Sequence, residues 1–267
     1  WNDHTDVMSV RDCGWIQVFA DNGQELFDHV LYAFRVAEDP AVSIPVMVNI
    51  DGFIVTHVIE AIEYWDKEQV ARYLPPFKPV NVLNPDAPVT MGAFGIPNIF
   101  SETKQAQNEA LLAAKSVIMK AWDELAKITG RSYKPVETYK LEGAETAIVT
   151  MGSFGETASI AVDRLRERGK PVGQIRLRLW RPFPFEELRD AVKGVQKLIV
   201  IDRAISYGGP GGPVASEIRA ALYQEKHQPS IANFLAGFAG RDVTPDDFIA
   251  MYEKTELLAR SGSPIRQ

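Results

Sequence analysis

Hydrophobic periodicity in the first part of the chain predicts a strand, a helix and a second strand. The apolar run WIQVFA at 15–20 is typical of a buried strand, and apolar residues recur at helical spacing over 23–38. A second short apolar run at 44–53 ends in Asp-Gly, which is a turn signal. Strand, helix and strand in this order predict a βαβ unit with a parallel sheet.

The second half of the chain alternates between the two periodicities. The pattern predicts strands at 146–152, 173–182, 197–202 and 231–237, and helices at 156–169, 185–195, 212–224 and 245–260. Such regular alternation is typical of a doubly wound α/β domain, in which we expect right-handed crossovers.

A proline-rich segment separates the two halves. Prolines at 75, 76, 79, 85, 88 and 97 predict an extended surface connector over 74–99, because proline fits neither a helix interior nor a central strand. A long helix should follow over 102–129, with Ser101 as its N-cap. Gly130 stands where helices often end in a left-handed residue.

Composition narrows the classes of function. The net charge is −6 and no run of Lys or Arg is present, so nucleic acid is not expected as a partner. No apolar run approaches the roughly 20 residues of a transmembrane helix, so no membrane partner is expected either. The single cysteine, Cys13, excludes an intrachain disulfide and an iron–sulfur cluster held by this chain alone. No metal site is predicted, and a reducing, cytoplasmic location fits this cysteine usage.

The glycine-rich stretch SYGGPGGP at 206–213 joins a predicted strand to a predicted helix. Glycine loops at helix N-termini bind phosphate in several families. This stretch, however, has neither the Lys-Ser or Lys-Thr of a P-loop nor the spacing of a dinucleotide fingerprint. We interpret it as a tight turn that needs glycine for its backbone geometry, with phosphate contact as the alternative.

A few single residues are candidates for chemistry. Arg11 precedes a strand, and its planar guanidinium matches a carboxylate, although exposed arginines are common. Cys13 as a nucleophile is disfavoured by the neighbouring Asp12, which opposes a thiolate. His57 lies six residues after Asp51, which fits either acid–base chemistry or a capping or interface role.

Several stretches together resemble the alpha subunit of the 2-oxoacid:ferredoxin oxidoreductases, specifically of the pyruvate:ferredoxin oxidoreductase type. The resemblance extends in order over nearly the whole chain. The similar stretches are WNDHTDVMSVRDCGWIQ, NGQELFDHVLYAFRVAE, VNIDGF followed by TH, GRSY, RPFPFEEL, VIDRAISYGGPGGPVASEI and GRDVTPDDF.

The resemblance implies an α/β fold with a partial thiamine-diphosphate pyrimidine-binding-type domain followed by a transketolase C-terminal-like doubly wound domain. The expected divisions are 1–73 for the C-terminal part of the pyrimidine-binding domain, 74–140 for the connector and long helix, and 141–267 for the second domain. The residues that contact thiamine are then expected upstream of this chain, so the residues of this chain that bind the cofactor are unknown from the resemblance.

The resemblance also implies the chemistry. Such enzymes oxidatively decarboxylate pyruvate or a similar 2-oxoacid with coenzyme A to acyl-CoA and CO₂, and electrons pass to ferredoxin. Thiamine diphosphate with Mg²⁺ would be shared with a beta subunit, and 4Fe–4S clusters would lie in gamma and delta subunits. The alternatives are the alpha subunit of oxalate oxidoreductase, which needs no coenzyme A, a non-catalytic scaffold subunit, and a flavodoxin-like binding domain.

Individual residues take roles only through this resemblance. Arg11 aligns with the arginine that binds the substrate carboxylate, and Asp12 and Cys13 would lie beside the substrate. Cys13 departs from the family pattern, in which a small polar residue, often threonine, is usual. A second group is expected near the site or at a subunit contact: Asp3, His4, Asp51, Phe53 and His57.

Overall fold

A computed structural model describes residues 2–261. Two sheets and the helices that cover them form its framework. Within this range the helices are α1 (Thr5–Ser9), α2 (Gly23–Ala37), α3 (Lys67–Tyr73), α4 (Pro97–Thr129), α5 (Phe154–Glu167), α6 (Phe185–Ala191), α7 (Pro213–Leu222) and α8 (Pro245–Arg260). The strands are β1 (Ile16–Phe19), β2 (Val46–Asn49), β3 (Val136–Tyr139), β4 (Thr146–Thr150), β5 (Val172–Leu177), β6 (Leu179–Arg181), β7 (Lys197–Asp202) and β8 (Ser230–Leu235).

The predicted βαβ unit is confirmed in the smaller sheet, whose strand order is β2-β1-β6. β1 and β2 are parallel, with Ile16 opposite Val46 and Phe19 opposite Asn49. The α2 helix that connects them begins after Asn22, whose side chain accepts a hydrogen bond from the third helical amide. This geometry places the carboxyl ends of both strands, and the polar residues that follow them, at one edge of the sheet.

The predicted doubly wound domain is also confirmed. Its sheet has the order β3-β5-β4-β7-β8, and only the edge strand β3 is antiparallel to its neighbour. Alternate side chains of β4 and β7 point into two different hydrophobic clusters. One cluster is covered by α6 and α7, and the other by α5 and α8. The sheet is therefore buried on both faces, which explains its continuous apolar strands.

One predicted strand was wrong as a single element. The run 173–182 divides at Arg178 into β5, which stays in the larger sheet, and β6, which pairs antiparallel with β1 in the smaller sheet. The division has a physical cause, because the buried Arg178 guanidinium turns inward to Glu25 at 2.7 Å and Glu137 at 2.8 Å. β6 thereby links the two halves of the chain.

The long helix was predicted with the wrong beginning. It begins at Pro97 rather than at 102, and Ser101 lies inside it. Proline suits the first helical position because its fixed φ is helical and its missing N–H would have no partner there. The predicted end is confirmed, since Gly130 caps the helix with φ of +75°. The connector is exposed from residue 75 to residue 100, as predicted.

Three of these helices and strands were not predicted. α1 lies before the first predicted strand, α3 begins after Asp66, which forms a capping box with Gln69, and β3 adds an antiparallel strand from within the 74–140 segment. All three are short and lack a long apolar repeat. No helix within residues 2–261 is long and apolar enough to cross a bilayer.

The GRSY stretch has a structural explanation in the first half. The carboxylate of Asp28 on α2 is completely buried. It accepts hydrogen bonds from Arg131 at 2.6 and 2.9 Å, from the Tyr133 hydroxyl at 2.7 Å and from the Trp65 indole at 3.1 Å. This one carboxylate therefore holds α2, the segment before α3 and the end of α4 together.

Candidate functional site

A buried carboxylate joins two of the sequence motifs that are far apart in the chain. Asp51 follows β2, and its Oδ1 accepts a hydrogen bond from Nε2 of His4 at 2.8 Å. Its Oδ2 accepts from Nη1 of Arg203, just after β7, at 2.8 Å, and from the backbone N–H of Ser153 at 2.6 Å. The DGF and IDR stretches thus meet where the carboxyl ends of strands from both sheets converge.

The ionised form of the Asp51 carboxyl is strongly favoured over the protonated form. Burial raises the pKa of this carboxyl, but the hydrogen bond from His4, the positive charge of Arg203 and a hydrogen bond with Ser153 outweigh burial and lower the pKa to about 2. Asp51 and Arg203 are 2% and 1% exposed, so their charges have little access to water. The pair is therefore an internal ion pair rather than a surface contact.

The surroundings of this pair are closely packed. The Arg203 guanidinium lies 4.2 Å from the centre of the Phe154 ring, and its Nη1 also donates to Ser153 Oγ at 3.0 Å. Gly152 has φ of +70°, and a Cβ at that position would lie 2.6 Å from Asp51 Oδ2. His4 and Asp51, which were expected near the site or at a subunit contact, are therefore buried within the fold. They connect the first segment of the chain to its second half.

Phe53 and His57 lie instead on an exposed turn. Phe53 has φ of +69° and is 62% exposed, and its N–H donates to Thr56 Oγ1 at 2.9 Å. The Thr56 hydroxyl is also 2.9 Å from Nδ1 of His57, and the Phe53 and His57 rings are 5.4 Å apart. The DGFIVTH stretch is thus divided between one buried carboxylate and a ring pair that faces outward. Asp3 lies at the beginning of α1, where it accepts the N–H of Thr5.

Arg11 lines an open cavity of about 290 Å³ at the boundary between the first segment, α4 and β6. The lining residues are Arg11, Asp12, Gly14, Lys104, Gln107, Asn108, Leu111 and Arg181. Arg11 Nε is 3.4 Å from one Asp12 carboxylate oxygen, and Arg181 Nη2 is 3.3 Å from the other. Cys13 is exposed, and its neighbours in the sequence, Asp12 and Gly14, both line the cavity.

Most residues of this cavity were not predicted from the sequence. Lys104, Gln107 and Asn108 lie on α4, for which the sequence predicted a long helix and no functional residue, and Arg181 lies in the RPFPFEEL stretch, which had no assigned role. The one available signal was the arginine before two prolines, since a charged residue in an otherwise buried strand needs a partner.

The glycine-rich stretch is explained by a neighbouring carboxylate. Asp202 at the end of β7 accepts hydrogen bonds from the backbone N–H groups of Val214 at 2.8 Å and Ala215 at 3.1 Å, at the beginning of α7. A Cβ on Gly212 would overlap the carboxyl group of Asp202. The Asp202 carboxylate thus occupies the position at the N-terminus of α7 where a phosphate would bind. This favours the interpretation of the glycine-rich stretch as a tight turn.

A further buried acidic residue was not predicted. Asp21 follows β1 and is 6% exposed, next to the ion pair of Glu25 with Arg178. Burial and then the nearby negative charge of Glu25 raise the pKa of Asp21 to about 8. Its closest cation, Arg176, lies 3.5 Å away. The folded protein therefore favours the protonated form of Asp21.

Replacing Asp21 by asparagine should stabilise the protein at pH 7.5 by roughly 1–3 kcal/mol. Because the folded pKa lies near 8 and the ordinary value is 3.8, the folded state keeps a proton that the unfolded state has lost. The stability that Asp21 contributes is therefore complete below about pH 4 and falls as the pH rises towards 8. Asparagine removes this decline, which urea unfolding at several pH values would measure.

The exposed Asp242 offers a matched control, because Asp242→Asn removes the same charge from the surface. It should leave the pH dependence between 4 and 8 unchanged. A loss of stability in Asp21→Asn that is equal at pH 4.5 and pH 7.5 would contradict the raised pKa.

No group of three or more His, Cys, Asp or Glu side chains in residues 2–261 is arranged to hold a metal ion.

Comparison with known proteins identifies the family. The model of the thiamine-diphosphate-binding part of pyruvate flavodoxin/ferredoxin oxidoreductases matches residues 1–123, and that of core domain II of pyruvate:ferredoxin oxidoreductase matches residues 144–248. A pyruvate synthase subunit PorA of Methanothermobacter thermautotrophicus is 38% identical over 98% of this chain and 67% of its own length. The PorA subunit of Pyrococcus abyssi is 41% identical over 91% of this chain and 62% of its own length.

The relatives are named after different substrates. The ketoisovalerate oxidoreductase subunit VorA of Pyrococcus furiosus is 38% identical over 98% of this chain and 66% of its own length. The chain thus spans about two thirds of the length of these curated relatives.

A solved structure agrees with the fold. It is a 2-oxoglutarate:ferredoxin oxidoreductase from Magnetococcus marinus, with a TM-score of 0.58 and 16% identity over 95% of this chain and 45% of that chain. With the motifs, the two family models and the relatives in agreement, the chain belongs to the alpha subunits of the 2-oxoacid:ferredoxin oxidoreductase family.

Proposed function

We propose that the chain forms part of an enzyme that oxidatively decarboxylates pyruvate with coenzyme A and passes the electrons to ferredoxin. The observation that carries this proposal is the cationic cavity around Arg11, in a chain whose relatives are named for pyruvate synthase. A guanidinium at an open cavity suits a small carboxylic acid, because its planar N–H groups match the two carboxylate oxygens.

In this proposal Arg11 binds the carboxylate of the substrate and orients it until it leaves as CO₂. Its side chain is 31% exposed, so it is accessible to a ligand and still partly held by its neighbours. Asp12 and Cys13 lie beside the substrate, and Cys13 replaces the small polar residue that the family resemblance leads us to expect. The buried pair of Asp51 and Arg203 fixes the segment that begins with His4, and Arg11 follows on that segment.

The described residues do not fit the diphosphate and Mg²⁺ of thiamine diphosphate. The N-terminus of α7 is filled by Asp202, and residues 2–261 contain no acidic or histidine cluster suited to a metal. We therefore propose that a beta subunit binds the diphosphate and Mg²⁺. The single cysteine of the chain supports 4Fe–4S clusters on gamma and delta subunits, since such clusters require several thiolates.

An exposed apolar surface supports the proposed partner subunits. Side chains that are 44–84% exposed follow one another along the connector and the first turn of α4: Phe77, Val80, Val82, Leu83, Val89, Met91, Phe94, Ile96, Ile99 and Phe100. The turn that carries Phe53 adds Val58 and Ile59, which are 58% and 102% exposed. Extended apolar surfaces of this kind mark interfaces between proteins. We propose that the other subunits of the complex cover them.

The test uses the purified complex that contains this chain. Reduction of oxidised ferredoxin is followed with pyruvate plus coenzyme A, with 2-oxoisovalerate plus coenzyme A, and with oxalate alone. We expect reduction with pyruvate that depends on coenzyme A. The second candidate substrate is 2-oxoisovalerate, because the ketoisovalerate relative is 38% identical, as is the Methanothermobacter pyruvate relative.

Each other outcome has a defined meaning. A clear preference for 2-oxoisovalerate would replace pyruvate and leave the reaction class intact. Reduction with oxalate alone would favour the oxalate alternative, which the relatives described above do not support. A complex that is fully assembled but inactive with every 2-oxoacid would contradict the proposal and favour a scaffold subunit.

A further inference from the structure

The carboxylate of Asp12 bridges two arginines that come from distant parts of the chain. One oxygen is 3.4 Å from Arg11 Nε and the other is 3.3 Å from Arg181 Nη2. We propose that the cavity is an oxyanion-binding site in which Arg181 is a second cationic ligand-binding residue, and that Asp12 competes with the ligand for both arginines. The proposal deepens the proposed function and rests on its assignment of Arg11.

The contacts of Asp12 are those of a displaceable group. Both distances exceed the roughly 2.7–2.9 Å of a strong charge-assisted hydrogen bond. The Asp12 side chain is 76% exposed, whereas those of Arg11 and Arg181 are 31% and 11% exposed. A pair with one such exposed partner is weak because water screens it. The Asp12 carboxylate, which is much more exposed than either arginine, can therefore move away from them.

The fold holds Arg181 firmly at the cavity. Arg181 is the last residue of β6 and lies opposite Gln17 of β1. Its guanidinium lies 4.9 Å from the centre of the Trp180 ring, and its Nη1 donates to the Trp180 carbonyl at 3.0 Å. Glu217 on α7 contributes a second loose contact to Nη2 at 3.3 Å. Arg181 thus keeps its orientation when Asp12 leaves.

The rest of the lining favours an anion. Arg11, Arg181 and Lys104 carry three positive charges against the one negative charge of Asp12 among the lining residues. Gln107 and Asn108 add amide groups from α4, and Lys104 Nζ lies 3.2 Å from the Gln107 side-chain oxygen. The volume of about 290 Å³ is close to the lower end of the ~300–1,000 Å³ of small-molecule sites.

The chemistry of Asp12 indicates that of the ligand. A group that replaces a carboxylate between two guanidinium forks is itself a carboxylate or a phosphate. In the proposed reaction, the carboxylate is that of the 2-oxoacid and the phosphate is one of those on coenzyme A. Both share the oxyanion that the two arginines recognise, and the two sources are separated by experiment.

The test compares the complex carrying Asp12→Asn or Arg181→Gln with the unmodified complex. Binding of pyruvate and of inorganic phosphate is measured by calorimetry without ferredoxin, and KM and kcat are measured separately. Asp12→Asn should tighten binding of the true ligand by about two- to fivefold, the strength of an exposed ion pair. Arg181→Gln should weaken it by about tenfold, as expected for a lost charged hydrogen bond.

Matched controls come from an exposed site outside the lining of the cavity. Arg189 pairs with Glu225, and Asp190 pairs with Lys193, both near the end of α6. Arg189→Gln and Asp190→Asn change the same charges and should leave both binding constants unchanged. Damage to the fold would weaken ligand binding, whereas Asp12→Asn is expected to strengthen it. The Asp12→Asn variant therefore still tests the proposal if the complex with Arg181→Gln fails to assemble.

The outcomes distinguish this proposal from the proposed function. A response of pyruvate binding to both variants assigns the site to the substrate carboxylate, and a response of phosphate alone assigns it to a phosphate group. If neither probe responds while the complex still turns over pyruvate, the site proposal is overturned and the function stands. If phosphate responds but no 2-oxoacid is oxidised, the function is overturned and the oxyanion site stands.

Discussion

Replacement of Asp51 by alanine should lower the free energy of unfolding by about 3–5 kcal/mol. The substitution leaves the Arg203 guanidinium, which is 1% exposed, without its only ion-pair partner among the described residues. It also removes the acceptor for Nε2 of His4 and for the Ser153 amide. A buried charge that loses its partner bears the full cost of its desolvation, which explains the size of the effect.

The same variant should change the response to acid. The pKa of Asp51 is lowered from 3.8 to about 2 in the folded protein. The stability linked to this carboxylate is therefore complete above about pH 4 and is lost as the pH falls towards 2. Asp51→Ala should show a shallower loss of stability between these pH values, which urea unfolding at fixed pH would measure.

Asp190→Ala is the matched control for Asp51→Ala, because it breaks an exposed ion pair whose side chains are 70% and 76% exposed. We expect it to change the free energy of unfolding by less than about 1 kcal/mol. A similar small loss in Asp51→Ala would show that water or another group replaces the carboxylate, and would contradict the assignment of a buried ion pair.

Replacement of Arg11 by glutamine should raise the KM of the complex for pyruvate by about 10- to 100-fold, as expected for the loss of a charged hydrogen bond. The arginine is proposed to hold the carboxylate in the bound substrate, and the negative charge leaves this group as decarboxylation proceeds. Its contribution is therefore greatest in substrate binding, so kcat should fall less than KM rises. Initial rates of ferredoxin reduction over a range of pyruvate concentrations would measure both.

Two further variants test whether the effect belongs to the guanidinium. Arg11→Lys keeps the charge but loses the planar fork, so KM should lie between those of the unmodified protein and Arg11→Gln. Arg164→Gln removes an exposed arginine that pairs with Asp246 on the surface and should leave both constants unchanged. An unchanged KM in Arg11→Gln would remove Arg11 from the proposed substrate site.

The proposed role of Arg181 as a second ligand-binding arginine could not be predicted from the sequence. Arg11 and Arg181 are separated by 170 positions, and they meet only because β6 leaves the larger sheet and pairs with β1. A local pattern does not contain this information, since the apolar run at 173–182 has the same alternation whether it forms one strand or two. Arg178 lies at the point of change, but its burial is evident only in the structure.

Secondary structure was predictable from the sequence where apolar periodicity was long and regular. β7 at 197–202 and α8 at 245–260 have the bounds that the pattern predicted, and the parallel βαβ and doubly wound arrangements follow from their order. The motifs were also sufficient to indicate the family. Local periodicity is enough for these features because it records which face of each element is buried.

The contacts between polar residues could not be predicted from the sequence, because they depend on the packing of distant segments. Asp51 pairs with Arg203, which lies 152 positions later in the chain. Asp202 occupies the N-terminus of α7, where phosphate contact was the alternative interpretation of the glycine-rich stretch. Such contacts form between strand ends and helix ends whose spatial order depends on the packing of the whole chain. These contacts form because a buried charge without a partner costs free energy. Which residue becomes the partner depends on how the two sheets pack together.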